Sequence, residues 1–318
     1  STVTYAHPEW WASHGYIVVI QDVRGQGSSE GNFSGFSQEF NDTEETHKWV
    51  RSLPKSNGLL GTYGFSYQGL TQILSKHESE PPDCLAPAMT GLNECDHWSC
   101  EGGAFWWELG LSWGLQLAAL KQKKTGNYEN WVKIRKSIEN QTYLRDGREL
   151  LQKYDETGMV NRWLKESNKS KQNWTTHNCS EAWLKKPMIL FGGWWDPHLR
   201  GILDLYKKSK ISGGNPQLYI GSATHLNWWE GTNQTLLQFF NKHLHKIDDR
   251  LKEDSSKVNI WNITNKEWES YKQDMKNPNW ALCTSHLIAS SHKDGFMKRS
   301  EGSGFITLVS DPWRPVPS

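Results

Sequence analysis

Gly64-Phe65-Ser66-Tyr67-Gln68-Gly69 decides how this chain is read. The hexapeptide stands where a short apolar run, Leu59, Leu60 and Tyr63, gives way to a helical pattern carried by Leu70, Ile73 and Leu74. A serine at such a strand-to-helix corner sits in a tight turn. Its hydroxyl points out of the sheet, and the first amides of the next helix face any negative charge that forms beside it. That is the geometry of a nucleophile elbow. The usual pattern G-x-S-x-G puts glycine two residues after the serine; here Gln68 stands there and the glycine follows at 69. On the hexapeptide alone, a catalytic elbow and an ordinary glycine-flanked loop are both open.

The surrounding rhythm places the hexapeptide in an α/β fold. Tyr16-Ile17-Val18-Val19-Ile20 is a continuous β-branched run, as expected for a strand buried on both faces of a parallel sheet. The loop Asp22 to Ser29 follows; its glycines are spaced G-x-G-x-x-x-G and no helix start comes after them, so a dinucleotide fingerprint is excluded. A helix is predicted over 38–52, before Pro54, then a strand over 58–63 that delivers Ser66, and another over 85–90. From 92 to 184 the pattern turns helical, with Trp106, Trp107 and Trp113 leading into Leu115 to Leu120. Such an insertion commonly lies over the carboxyl edge of the sheet, where ligands bind. The rhythm resumes with Met188 to Gly193, a helix through Ile202, Leu203 and Tyr206, a strand at Gln217 to Ile220, and an amphipathic helix through Leu236 to Leu244. Past Lys252 short segments, turns and the proline-rich 311–317 read as the start of a β-rich domain.

Composition narrows the function. The 36 Lys plus Arg nearly balance 35 Asp plus Glu, so no global field recruits nucleic acid or an anionic membrane. No apolar run approaches the roughly 18 residues a membrane span needs. Nineteen tryptophans favour aromatic-lined cavities or interfaces as well as core. The five cysteines, few and odd in number, argue for a reducing compartment, and a cytoplasmic location is expected. Cys95-Asp96-His97-Trp98-Ser99-Cys100 lacks a second ligand pair at zinc spacing, so neither a metal nor another cofactor is expected. The sequons at Asn32 and Asn173 are read as chance in an Asn-rich chain.

Ser66, Asp196 and His225 each fall just past the carboxyl end of a predicted strand. Parallel strands bring such ends to one edge, and the order Ser, Asp, His is that of α/β-hydrolases. The chemistry needs all three: a weak hydroxyl nucleophile, an imidazole to take and return its proton, and a carboxylate to fix the imidazole tautomer. His198 lies two residues from Asp196, in the same turn, so His225 from another strand end is preferred as base. Asp155 and Asp204 lie in helical pattern and are expected to be solvated; Asp22 is read as structural, with Arg24 as its partner.

With these residues in place the chain resembles the cocaine esterase and X-Pro dipeptidyl-peptidase family of serine hydrolases. The matching pieces are Gly15-Tyr16 leading into Gln21 to Ser28, the hexapeptide at 64–69, Gly102-Gly103-Ala104-Phe105, Gly193-Trp194-Trp195-Asp196, and Thr224-His225. The family places its elbow glycine where Gly69 stands. The resemblance implies an α/β-hydrolase sheet (1–91 and 185–252), a helical cap insertion (92–184) and the beginning of a C-terminal β domain of jelly-roll type (253–318). It implies Ser66 as nucleophile, Asp196 as orienting acid, His225 as base and the Tyr67 amide as one oxyanion donor. Trp106, Trp107, Trp194 and Trp195 are the expected substrate-binding aromatics. In the family the second donor is a tyrosine hydroxyl well before the Gly15-Tyr16 strand, a position upstream of Ser1, and Tyr5 stands too close to that strand to replace it. The family also threads a further strand between those at 16–20 and 59–63. The chain therefore reads as an internal fragment, and low activity of these 318 residues by themselves is the expectation.

The expected function is hydrolysis of a small-molecule ester, amide or peptide through an acyl-serine. A dipeptidyl-peptidase needs acidic groups for a free amino terminus, and Glu94, Asp96 and Glu101 are the candidates. A non-catalytic protein that grips a ligand in a Trp-rich cap is the alternative from another class. Oligomeric state is not legible.

Overall fold

The computed structural model describes residues 4–75, 79–166, 174–245, 258–271, 280–281 and 298–299. Two compact units divide the chain, Ser1–Lys272 and Gln273–Ser318. The first begins with α1 (Pro8–Ser13) and α2 (Glu39–Arg51). In α2, Glu39 and Asp42 in the first turn and Lys48 and Arg51 in the last complement the helix dipole. Next come β1 (Gly61–Phe65), α3 (Tyr67–Thr71) and β2 (Cys84–Ala88). The insertion follows: a π-helical turn Cys95–Ser99, the small hairpin β3 (Cys100–Glu101) and β4 (Ala104–Phe105), then α4 (Trp107–Lys124), α5 (Tyr128–Glu139), α6 (Tyr143–Tyr154), α7 (Met159–Glu166) and α8 (Glu181–Leu184). The alternation resumes with β5 (Ile189–Trp195), α9 (Leu199–Ile211), β6 (Gln217–Thr224), α10 (Thr232–Leu244), β7 (Val258–Asn262) and β8 (Glu267–Tyr271).

The main sheet has the order β1-β2-β5-β6-β7-β8. The first five strands run parallel and β8 returns antiparallel to β7. Alternation along the strands separates two cores. Leu85 of β2 and Leu190 of β5 face one side, with α3, α9 and the insertion's Leu111, Leu115 and Trp163. Cys84, Ala86, Ile189 and Phe191 face the other, with Trp11 of α1 and Leu236 and Phe240 of α10. Both faces of β5 are covered, so its run from Ile189 to Gly193 is buried throughout.

Two expectations are corrected. The run Tyr16 to Ile20 forms no strand, and Ile17 and Ile20 are 50% and 67% exposed. A β-branched run becomes a strand only when a neighbour lies about 4.8 Å away to share its hydrogen bonds. Here a cleft of about 800 Å³, lined by residues 16–21 on one side and 59–65 on the other, separates the run from the free edge of β1. The resemblance puts its further strand between those same two segments. At the other end, β7 and β8 lie beyond the boundary expected at 252, yet they hydrogen-bond into the main sheet. β7 extends the parallel ladder through Leu218, Tyr219 and Ile220 of β6.

In the second unit the described residues form one antiparallel pair, β9 (Trp280–Ala281) with β10 (Lys298–Arg299). Cys283 and the proline-rich 311–317 lie outside the described residues. Among the described residues no helix is long and apolar enough to cross a membrane, and no three His, Cys, Asp or Glu side chains gather as a metal site.

Candidate active site

Ser66 sits at the corner between β1 and α3 with φ 59° and ψ −126°. That conformation is strained for any residue but glycine and persists only where the surroundings impose it. Two glycines do so. Gly64 has φ 156°, and a Cβ there would stand 2.6 Å from Gln68 Cβ. A Cβ on Gly69 would stand 2.7 Å from the Ala88 carbonyl oxygen and 2.8 Å from Thr90 Cβ. The glycine three places after the serine thus lets α3 press onto the end of β2, while Gln68 in the usual glycine position is exposed. The Ser66 N–H donates to the Ala88 carbonyl (3.0 Å), tying the corner to the next strand.

Asp196 follows β5 and His225 follows β6. These strands are neighbours, and the register pairs Trp195 with Thr224, so the two residues are one step past matched ends. His225 Nδ1 lies 2.5 Å from Asp196 Oδ2. The other carboxylate oxygen accepts from the His198 main-chain N–H at 2.8 Å. The Asp196 side chain is fully buried and that of His225 is 28% exposed, so the imidazole reaches solvent while the carboxylate does not. A carboxylate only accepts, which assigns the proton of His225 to Nδ1 and leaves Nε2 as acceptor. The Phe65 ring, beside Ser66 in sequence, packs edge-on to the His225 ring at 5.3 Å. Among the described residues the Ser66 hydroxyl has no hydrogen-bond partner. Such contacts are often long before substrate binds.

Tyr67 occupies the first position of α3, where a main-chain N–H has no partner within the helix. Its side chain points elsewhere: the hydroxyl donates to Glu39 Oε1 and accepts from the Phe36 N–H. Burial and the Glu39 carboxylate push the phenol well above its ordinary range. Of the four predicted aromatics, Trp106 approaches the His198 ring, at 6.1 Å. Trp107 turns back to donate to the Leu144 carbonyl, Trp194 donates to the Trp261 carbonyl, and Trp195 is 54% exposed.

Other side chains depart from expectation. Arg24 pairs with Asp42 instead of Asp22, whose carboxylate accepts from the Ser28 N–H. Asp204 is paired with His97 (3.0 Å) and Asp155 with Lys121 (2.8 Å). Glu94 is 1% exposed and accepts from Arg162 (2.7 Å), Trp163 Nε1 (2.5 Å) and His177 (2.8 Å). Sequence reasoning missed this cluster because its donors come from 68, 69 and 83 residues downstream.

A mostly parallel sheet with helices on both faces, an elbow after β1 and an acid and imidazole after β5 and β6 define an α/β-hydrolase fold. Residues 1–227 match the X-Pro dipeptidyl-peptidase (S15 family) model, and the chain belongs to that family. It is 24% identical over 346 aligned residues to the cocaine esterase of Rhodococcus sp. (strain MB1 Bresler), covering 96% of this chain and 58% of that relative. A CocE/NonD family hydrolase from Staphylococcus aureus shares the fold, with TM-score 0.53 and 17% identity over 81% of this chain and 42% of its own. So does an aminopeptidase from a marine sediment archaeon, Thaumarchaeota archaeon, with TM-score 0.54 and 18% identity over 83% of this chain and 49% of its own. The chain spans about half the length of these relatives.

Proposed function

We propose that the protein is a serine hydrolase that cleaves a small ester or amide through an acyl-Ser66 intermediate. The observation that carries this reading is the buried Asp196 hydrogen-bonded to His225 at adjacent strand ends, on the same sheet edge as the strained Ser66 corner. His225 Nε2 takes the Ser66 proton as Oγ bonds to the substrate carbonyl carbon. The carbonyl electrons move to oxygen, and the Tyr67 N–H donates to the oxyanion. The intermediate collapses, the bond to the leaving group breaks, and that group takes the proton from His225. Water then repeats the sequence, giving the free acid and regenerating Ser66. Asp196 stabilises the imidazolium throughout and keeps its own charge.

In this reading 1–91 and 185–271, with β7 and β8 in its sheet, form the catalytic domain, and 92–184 form the cap. Trp106, which approaches the His198 ring, is read as lining the acyl site, with Trp107, Trp194 and Trp195 as the other candidate substrate-binding aromatics. A substrate with a free amino terminus is less favoured. Glu94 is buried and engaged by three donors, Asp96 pairs with Arg200 (3.3 Å), and Glu101 is exposed. Comparing a blocked p-nitrophenyl ester with an unblocked Xaa-Pro p-nitroanilide tests this. Turnover of the ester, lost in Ser66→Ala and His225→Ala, is expected. Turnover confined to the unblocked anilide would assign the peptidase activity instead.

A further inference from the structure

We propose that His198 Nε2 accepts a hydrogen bond from an N–H or O–H of the substrate, making His198 the residue that selects donor-bearing substrates. The inference rests on the hydrolase reading above. His198 is 5% exposed, and its ring lies 5.1 Å from that of His225 and 6.1 Å from that of Trp106. It is fixed from three directions. Its main-chain N–H donates to Asp196, its ring packs on Trp98 at 4.5 Å, and Nδ1 lies 2.6 Å from the His97 carbonyl oxygen.

That last contact settles the tautomer, because a carbonyl can only accept and Nδ1 must therefore carry the hydrogen. Nε2 is left with a lone pair and has no hydrogen-bond partner among the described residues. The carbonyl is available for a structural reason. The π-helical turn Cys95–Ser99 ends two residues after His97, so its last carbonyls lack helical partners. His97 is itself held, accepting from the Asn93 N–H at Nδ1 (3.0 Å) and bonding Asp204 through Nε2 (3.0 Å). π-Turns recur at functional sites, and this one orients a side chain against the base.

The charged and titratable groups around His198 are Asp196, His225 and His97. Burial outweighs the attraction of Asp196 and pushes the imidazole down to about 4. At neutral pH the ring is uncharged, so Nε2 is an acceptor and not a second cation beside His225. A substrate N–H or O–H placed there completes its bonding, whereas an apolar group leaves a buried acceptor unpaired.

The test measures the rate at which Ser66 is labelled in the intact chain, in His198→Phe and in His198→Gln. Three probes are used: an alkyl fluorophosphonate without N–H groups, an α-acetamidoalkyl diphenyl phosphonate, and its isostere with CH2 in place of the N–H. The N–H probe should outpace its isostere by about tenfold in the wild type. His198→Phe should erase that preference. His198→Gln should keep it, because an amide oxygen can stand where Nε2 stood. The fluorophosphonate rate of each protein serves as its own reference, and the ratio of N–H probe to isostere is the readout, which a merely structural role for His198 would leave unchanged. An unchanged preference in His198→Phe, or none in the wild type, overturns the role of His198 alone. A wild type that the fluorophosphonate leaves unlabelled overturns the hydrolase reading and this inference with it.

Discussion

At Ser66 the chain accepts backbone strain, and the neighbouring glycines carry the means. The φ of 59° is held because α3 presses on β2 through Gly69. Gly69→Ala would drive a methyl against the Ala88 carbonyl, a backbone atom with little freedom to move. We expect a loss of about 1–3 kcal/mol in denaturant unfolding, the range for overpacking. Gly58→Ala meets no atom within 4 Å but has φ 79°, so it should show the cost of backbone strain alone, which Gly69 in α3 does not carry. The strand-to-helix corner at 64–69 was legible in sequence, but choosing an elbow over a glycine-flanked loop needed Asp196 and His225 elsewhere in the chain. The role of Gly69 was not, because its partner Ala88 lies on another strand. His198 was set aside for being close to Asp196 in sequence. That closeness puts its N–H on the carboxylate and its ring beside His225.

Among elements, periodicity recovered most of the helices and the buried strands. It failed where pairing decides. Residues 16–20 have every strand propensity and no ladder, since the free edge of β1 lies across the cleft. Native-state hydrogen exchange should therefore show fast exchange at 17–20 and the slowest at Leu190 to Gly193 and Leu218 to Gly221, where β5 and β6 pair inside the sheet. Protection of 17–20 equal to that of β5 would contradict this. One buried residue ties distant segments of the insertion together. Glu94 gathers Arg162 and Trp163 of α7 with His177, so Glu94→Ala strands three donors at once. The expected loss is on the order of 3 kcal/mol, from leaving the buried Trp163 and His177 donors unpaired. Glu94→Gln, which keeps an acceptor, should lose less. Equal losses would locate the effect in packing alone.

For the molecule as a whole, buried imidazoles set an acid limit. Burial lowers both His47 and His198 to about 4 from the ordinary 6.5. The unfolded chain takes these protons near pH 6.5 while the folded chain refuses them. The stability they permit is therefore whole above about pH 6.5 and is lost progressively as pH falls toward 4. Thermal melts between pH 7 and 4.5 should show a falling Tm, with a shallower fall in His47→Leu; an identical slope would clear His47 of the effect. In the proposed enzyme, parallel strands far apart in sequence bring Ser66, Asp196 and His225 into one catalytic unit. The most direct test of this is mass mapping of the chain after treatment with a fluorophosphonate. A single adduct is expected on the peptide carrying Ser66, absent in Ser66→Ala and slowed at least about a hundredfold in His225→Ala, where the proposed general base is lost. An adduct on another serine, or Ser66 labelling at full rate without His225, would contradict it.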